Sequence, residues 1–148
     1  MSKYASDRTW HFVDAVRLEG RQTGDMSSAP LVRSRLVIAD DRAVTRRALR
    51  ALLARQGDIE VVGEASDGEE AVSLVGLLHP DLVLLDVRMP RLDGIAAAAR
   101  IKARWPATRV VAHSLAVERQ QEALDGGVDA FVAKGAPVDE LLSALTAR

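Results

Sequence analysis

A chain of 148 residues without cysteine excludes disulfide staples, thiolate metal sites and cysteine nucleophiles together, yet it is long enough to bury one core. With 48% hydrophobic but only 3% aromatic residues that core must be aliphatic, and 20 Lys+Arg against 21 Asp+Glu give a net charge of −1 that supplies no electrostatic case for nucleic acid or an anionic membrane. No apolar run approaches the ~20 residues of a membrane span, and no long apolar stretch near the N-terminus marks a signal peptide, so a cytoplasmic domain is expected.

Residues 1–34 differ from the rest. Gly20, Gly24, Ser27, Ser28 and Pro30 punctuate them, charges follow no period, and Trp10, Phe12, Val13, Val16 and Leu18 suggest at most a short amphipathic turn or two. The segment reads as a largely flexible N-terminal extension ahead of a domain over 35–148. Met26 heads a run that looks like an ordinary bacterial start; the alternative is a docking segment, and both stay open.

From Leu36 onward short apolar runs alternate with helical patterns, the signature of parallel βα units. Leu36–Ala39 is a strand ending at Asp40-Asp41, followed by a helix over Ala43–Gln56 with Val44, Ala48, Leu49, Leu52 and Leu53 at helical spacing. Gly57-Asp58 breaks it before a strand over Ile59–Ala65. Asp67-Gly68-Glu69-Glu70 has capping-box spacing for a helix to about Leu78, which ends at His79-Pro80 because the residue before proline avoids the α region. Leu82–Leu85 is a fully apolar strand with Asp86 at its end. Asp93-Gly94 leads into a helix over Ile95–Trp105, stopped by Pro106. Val110–Ala112 is a strand reaching His113-Ser114, Glu118–Leu124 a helix closed by Asp125-Gly126-Gly127, and Ala130–Ala133 a strand ending at Lys134. Pro137 opens the last helix, to about Ala147. Strands apolar throughout require a sheet covered on both faces. The expected fold is therefore α/β, a doubly wound five-stranded parallel sheet in the order 2-1-3-4-5.

Ligands of such sheets bind beyond the carboxyl ends of the strands, where strand order reverses. Asp40, Asp41 and Asp86 end the two strands flanking that point, and Ser114 and Lys134 end the next two. Two carboxylates ~4 Å apart repel by roughly 4 kcal/mol at an effective dielectric of ~20, so three call for a cation. Oxygen ligands without His or Cys suit Mg²⁺. A carboxylate can attack phosphorus to form an acyl phosphate, with Lys134 and Mg²⁺ neutralising the developing charge and Ser114 donating a hydrogen bond.

The runs Leu36-Val-Ile-Ala-Asp40-Asp41, Leu82-Val-Leu-Leu-Asp86-Val-Arg-Met-Pro90-Arg-Leu-Asp-Gly94, Val110-Val-Ala-His-Ser114 and Ala130-Phe-Val-Ala-Lys134 resemble, in order and spacing, those of bacterial response-regulator receiver domains. Val61–Gly68 and Lys134–Pro137 are most similar to the LuxR/NarL-type branch. The resemblance, from Leu36 to Arg148, implies a (βα)5 flavodoxin-like fold. It further implies that Asp86 is the phosphoacceptor, and that Asp40 and Asp41, with Asp86 and the backbone carbonyl of Arg88, hold Mg²⁺. Lys134 would contact the phosphate, and Ser114 and Phe131 would form the switch pair. The implied partners are a sensor histidine kinase and a second copy docked through helix 4, strand 5 and helix 5, with no membrane contact and no nucleic acid bound by this domain itself.

Leu115 follows Ser114 where many receivers carry alanine, which is expected to narrow access to the phosphoryl pocket. Gly135 stands where proline usually follows the lysine, so a cis bond there is not expected. His113 and His79 read as structural, and Arg42, Arg46, Arg47, Arg50 and Arg55 as a solvated helix face that could touch a kinase. A dehalogenase-type phosphatase would want an acid at position 88, and a dinucleotide site a glycine-rich first loop; the chain has neither, so no enzyme is expected. Three readings remain: a phosphorylation switch acting through a partner, the receiver part of a truncated DNA-binding regulator, and a degenerate receiver that takes no phosphate.

Overall fold

The computed structural model describes residues 32–147. The expectations for residues 1–31, including the Met26 start and the amphipathic stretch from Trp10 to Leu18, lie outside the described residues. Five strands alternate with five α-helices: β1 (Ser34–Ala39), α1 (Ala43–Leu53), β2 (Ile59–Ala65), α2 (Gly68–Leu78), β3 (Leu82–Leu85), α3 (Gly94–Arg104), β4 (Arg109–Ser114), α4 (Gln120–Asp125), β5 (Ala130–Ala133) and α5 (Val138–Thr146). The strands form one sheet in the order β2-β1-β3-β4-β5, and every neighbouring pair is parallel. The doubly wound expectation holds.

The two covered faces of the sheet explain why the central strand β3 is wholly apolar and the others mostly so. Successive side chains point to opposite faces. Val37, Ala39, Val83, Leu85, Val110 and Ala112 pack with α2 and α3 on one side. Leu36, Ile38, Leu82, Leu84, Val111 and Val132 pack with α1 and α5 on the other. All four residues of β3 are at most 4% exposed, and burying each contributes roughly 1.5–3 kcal/mol. A one-residue irregularity opposite Leu36 and Val37 inserts Val62 into β2.

Several boundaries differ from the sequence reading for local reasons. Ser34, assigned to the extension, opens β1 instead: it pairs with Ile59, and its N–H donates to the Asp58 carbonyl at 2.8 Å. The first helix stops at Leu53, three residues early, because Arg55 and Gln56 bond back three residues in a tightened last turn before Gly57. The expected helix over Glu118–Leu124 is a 3₁₀ turn, Val117–Arg119, that hands over to α4. At the start of α2 the Asp67 carboxylate accepts from Glu70 N at 2.8 Å, while the Glu70 carboxylate reaches back past Asp67 to Ser66 N at 2.7 Å. The capping box is present, shifted by one residue on its return arm.

Candidate functional site

Asp40, Asp86 and Lys134 are each placed by one more hydrogen bond of the ladder beyond the strand that precedes them. Asp40 N donates to Ala65 O at 3.0 Å, Asp86 N to Ala39 O at 2.9 Å and Lys134 N to Ser114 O at 2.9 Å. The backbone is therefore still sheet-like where these side chains leave it, which gives them defined directions. Asp40 and Asp86 share the strand parity of Ile38 and Leu84, and Lys134 that of Val132, so all three belong to the face covered by α1 and α5.

Lys134 Nζ lies 2.8 Å from Asp40 Oδ2 and 2.8 Å from Asp86 Oδ2. Oxygens of Asp40, Asp41 and Asp86 all lie within 4.8 Å of one another, with Asp40 and Asp86 buried and Asp41 exposed. Burial alone would lower the Lys134 pKa, but its bonds to Asp40 and then Asp86 outweigh that and hold it above the usual lysine value. Three carboxylates facing one ammonium leave two negative charges in a largely dry pocket. A divalent cation with oxygen preference matches both that charge and that donor set, so Asp40, Asp41 and Asp86 could hold Mg²⁺.

The turn after Asp86 leaves no freedom for a side chain at position 94. A Cβ on Gly94 would overlap the Asp86 carbonyl oxygen, and Gly94 N donates to Val87 O at 2.7 Å. Asp93 then caps α3 by accepting from Ala96 N at 2.9 Å. Of Arg88, expected to offer its carbonyl, the amide N approaches Asp86 Oδ1 at 3.4 Å and the guanidinium pairs with Glu118 at 2.6 Å, both side chains well exposed.

Other expected members make their own contacts. Ser114 is buried, and its hydroxyl accepts from Ala116 N in its own loop at 3.1 Å. Phe131 is half-buried against the α2–α3 core, on the face opposite Lys134. Leu115, which follows Ser114, is 68% exposed. Neither acid of the pair takes the first helix's cap position, which Arg42 occupies, although Asp40 Oδ1 accepts from Arg42 N at 2.9 Å.

Two features were not visible in the sequence. His113 shares the parity of Lys134, and its Nδ1 is buried without a hydrogen-bond partner among the described residues. Burial first, then the Lys134 charge, lowers its pKa against the opposing pull of Asp40 and Asp86, so the imidazole is a neutral neighbour of the site. The arginine series is not uniformly solvated either: Arg46 folds inward and donates to the Asp40 carbonyl at 2.6 Å.

Residues 36–146 match the family model described as the response regulator receiver domain. The chain belongs to that family. The transcriptional regulatory protein PdtaR of Mycobacterium tuberculosis is 41% identical over 112 residues, 75% of this chain and 54% of that protein. A protein-glutamate methylesterase/protein-glutamine glutaminase of Methanosarcina acetivorans is 41% identical over 104 residues, 68% of this chain and 30% of that protein. Among solved structures, the signal receiver domain of the response regulator NarL from Mycobacterium tuberculosis superposes with a TM-score of 0.71 at 33% identity, covering 78% of this chain and 98% of that one. The chain spans about half the length of the curated transcriptional regulators it matches and 30% of the length of the methylesterase. Among the described residues no helix is long and apolar enough to cross a membrane.

Proposed function

We propose that this receiver domain, from Ser34 onward, accepts a phosphoryl group on Asp86 from a histidine kinase, with Mg²⁺ held by Asp40, Asp41, Asp86 and the Arg88 carbonyl. The observation that carries the reading is Lys134 Nζ at 2.8 Å from both buried acids, beside an exposed third. An Asp86 oxygen attacks the phosphorus of a phosphohistidine; the P–O bond forms as the P–N bond breaks, and the nitrogen leaves with that electron pair and takes a proton from solvent to become imidazole. Bound Mg²⁺ would supply charge neutralisation for phosphoryl transfer. Lys134, already drawn between the two acids, releases Asp86 to the incoming group and pairs with a phosphoryl oxygen. The chain contributes no separate enzyme activity in this reading.

The added charge offers strong acceptors to the Ser114 hydroxyl, which gives up its bond to Ala116 N and turns toward the phosphate. Phe131 follows from its half-buried position, and the two packings differ at α4, β5 and α5. Leu115, Val117 and Leu124, 68%, 52% and 36% exposed, line the β4–α4 side of that face and suit a second copy or another partner protein in the cytoplasm. A second reading, the receiver part of a longer LuxR/NarL-type DNA-binding regulator, is favoured by the half-length match to transcriptional regulators; with a net charge of −1 the present chain would leave DNA to another domain. The test is incubation with Mg²⁺ and a small-molecule phosphodonor or beryllofluoride, followed by intact mass and sedimentation. One adduct that needs Mg²⁺ and disappears in Asp86→Asn is expected. No adduct on the unsubstituted chain would leave a degenerate receiver.

A further inference from the structure

Of the three acids in the cluster, Asp41 is the least constrained by its own side chain. Asp40 accepts from Lys134 and from Arg42 N, and Asp86 accepts from Lys134 and faces Arg88 N. Asp41 is exposed, and among the described residues no hydrogen bond or ion pair engages its carboxylate. Its direction must come from the backbone. The peptide that delivers it, the Asp40 carbonyl joined to Asp41 N, is gripped from outside the sheet: Arg46, one turn into α1, donates from its terminal NH1 to Asp40 O at 2.6 Å. The same guanidinium donates from Nε to Glu64 Oε1 on β2 at 3.1 Å, and both side chains are only 18% exposed. Arg50 pairs with the other Glu64 oxygen at 2.7 Å, so Glu64 is fixed from two sides. A planar fork held at one prong is oriented at the other, which a lysine ammonium could not reproduce.

We propose that Arg46, anchored on Glu64, is a positioning residue for the cation site: it locks the Asp40–Asp41 peptide plane and so aims the Asp41 carboxylate. The inference rests on the reading of these acids as a Mg²⁺ site and names what holds that site in register. Two simpler roles give different results. Were Arg46 a mere positive charge near the acids, Arg46→Gln would tighten Mg²⁺ binding, because a repelling cation has gone. Were it a staple between α1 and β2, Arg50→Gln would act in the same way, since Arg50 holds Glu64 without touching the Asp40 carbonyl.

The experiment uses the whole 148-residue chain, with the Mg²⁺ dissociation constant measured by calorimetry and the urea midpoint measured without Mg²⁺. Arg46→Gln is expected to weaken Mg²⁺ binding about tenfold, the order seen when a group that orients a metal ligand is removed. Arg46→Lys, which keeps the charge and the fold but not the fork, should fall between the two. Arg50→Gln should lower the midpoint while leaving the dissociation constant within about twofold. An unchanged or tighter constant in Arg46→Gln and Arg46→Lys would overturn the proposal, as would an equal weakening in Arg50→Gln. An unsubstituted chain that binds no Mg²⁺ would instead overturn the cation reading, and this inference with it.

Discussion

Replacing Lys134 by methionine removes the ammonium that pairs with Asp40 and Asp86 while keeping most of the side-chain volume. Both acids are buried, at 2% and 7% exposure, so water cannot take over the lost contacts fully. With ligand oxygens up to 4.8 Å apart, the two carboxylates repel by roughly 3.5 kcal/mol at an effective dielectric of ~20. Breaking a buried pair by deleting one partner typically costs about 3–5 kcal/mol. The two figures agree, and a loss of about 3 kcal/mol at pH 7 is expected. With a urea m-value on the order of 1.5 kcal/mol/M, the midpoint should fall by about 2 M. Mg²⁺ should recover more stability in the variant than in the parent chain, because the site then carries three negative charges rather than two. Urea melts at pH 7 with and without Mg²⁺ measure both effects. A loss below about 1 kcal/mol at pH 7, or a recovery by Mg²⁺ no larger than in the parent chain, would refute the picture of Lys134 as the neutralising group.

Gly94→Ala places a methyl group against the Asp86 carbonyl, a backbone atom that cannot step aside. A loss of about 3 kcal/mol in urea melts is expected, together with weaker Mg²⁺ binding because Asp86 moves. Asp67→Ala deletes the cap of α2 and the pair with Arg91, and should lower stability by about 1–2 kcal/mol at pH 7. Its acceptance of the Glu70 N–H, ahead of the Arg91 contact, holds the Asp67 pKa below the usual 3.8. A depressed carboxyl stabilises above its unfolded pKa and loses that contribution as pH falls through the folded value. The gap between parent and Asp67→Ala should therefore be constant from pH 7 to about 5 and narrow below 3.8, as followed by thermal melts.

Much of this protein is written in local pattern. Mostly apolar runs, broken at Gly57-Asp58, His79-Pro80 and Pro106, specify βα alternation because a parallel strand covered on both faces favours apolar side chains on both. The acids and the lysine are legible for a related reason: each is the first polar residue after an apolar strand, and parallel strands bring such positions to one edge. What local pattern could not say is which strand ends meet on which face, or how the loops close. Register decides that Lys134 bridges Asp40 and Asp86 while Phe131, three residues earlier, faces the other way. Loop geometry brings Ala116 N onto the Ser114 hydroxyl and leaves Leu115 largely exposed. Arg46 shows the limit most clearly. The five arginines on and around α1 look equivalent in a string of letters. Only the position of Glu64, on a strand eighteen residues away, selects the one whose guanidinium bends inward onto the Asp40 carbonyl. Composition and period determine that this chain makes a five-stranded sheet with acids at its edge. The packing of α1 on β1 and β2 decides how those acids are held, because a hydrogen bond to a backbone carbonyl depends on distances that sequence spacing does not encode.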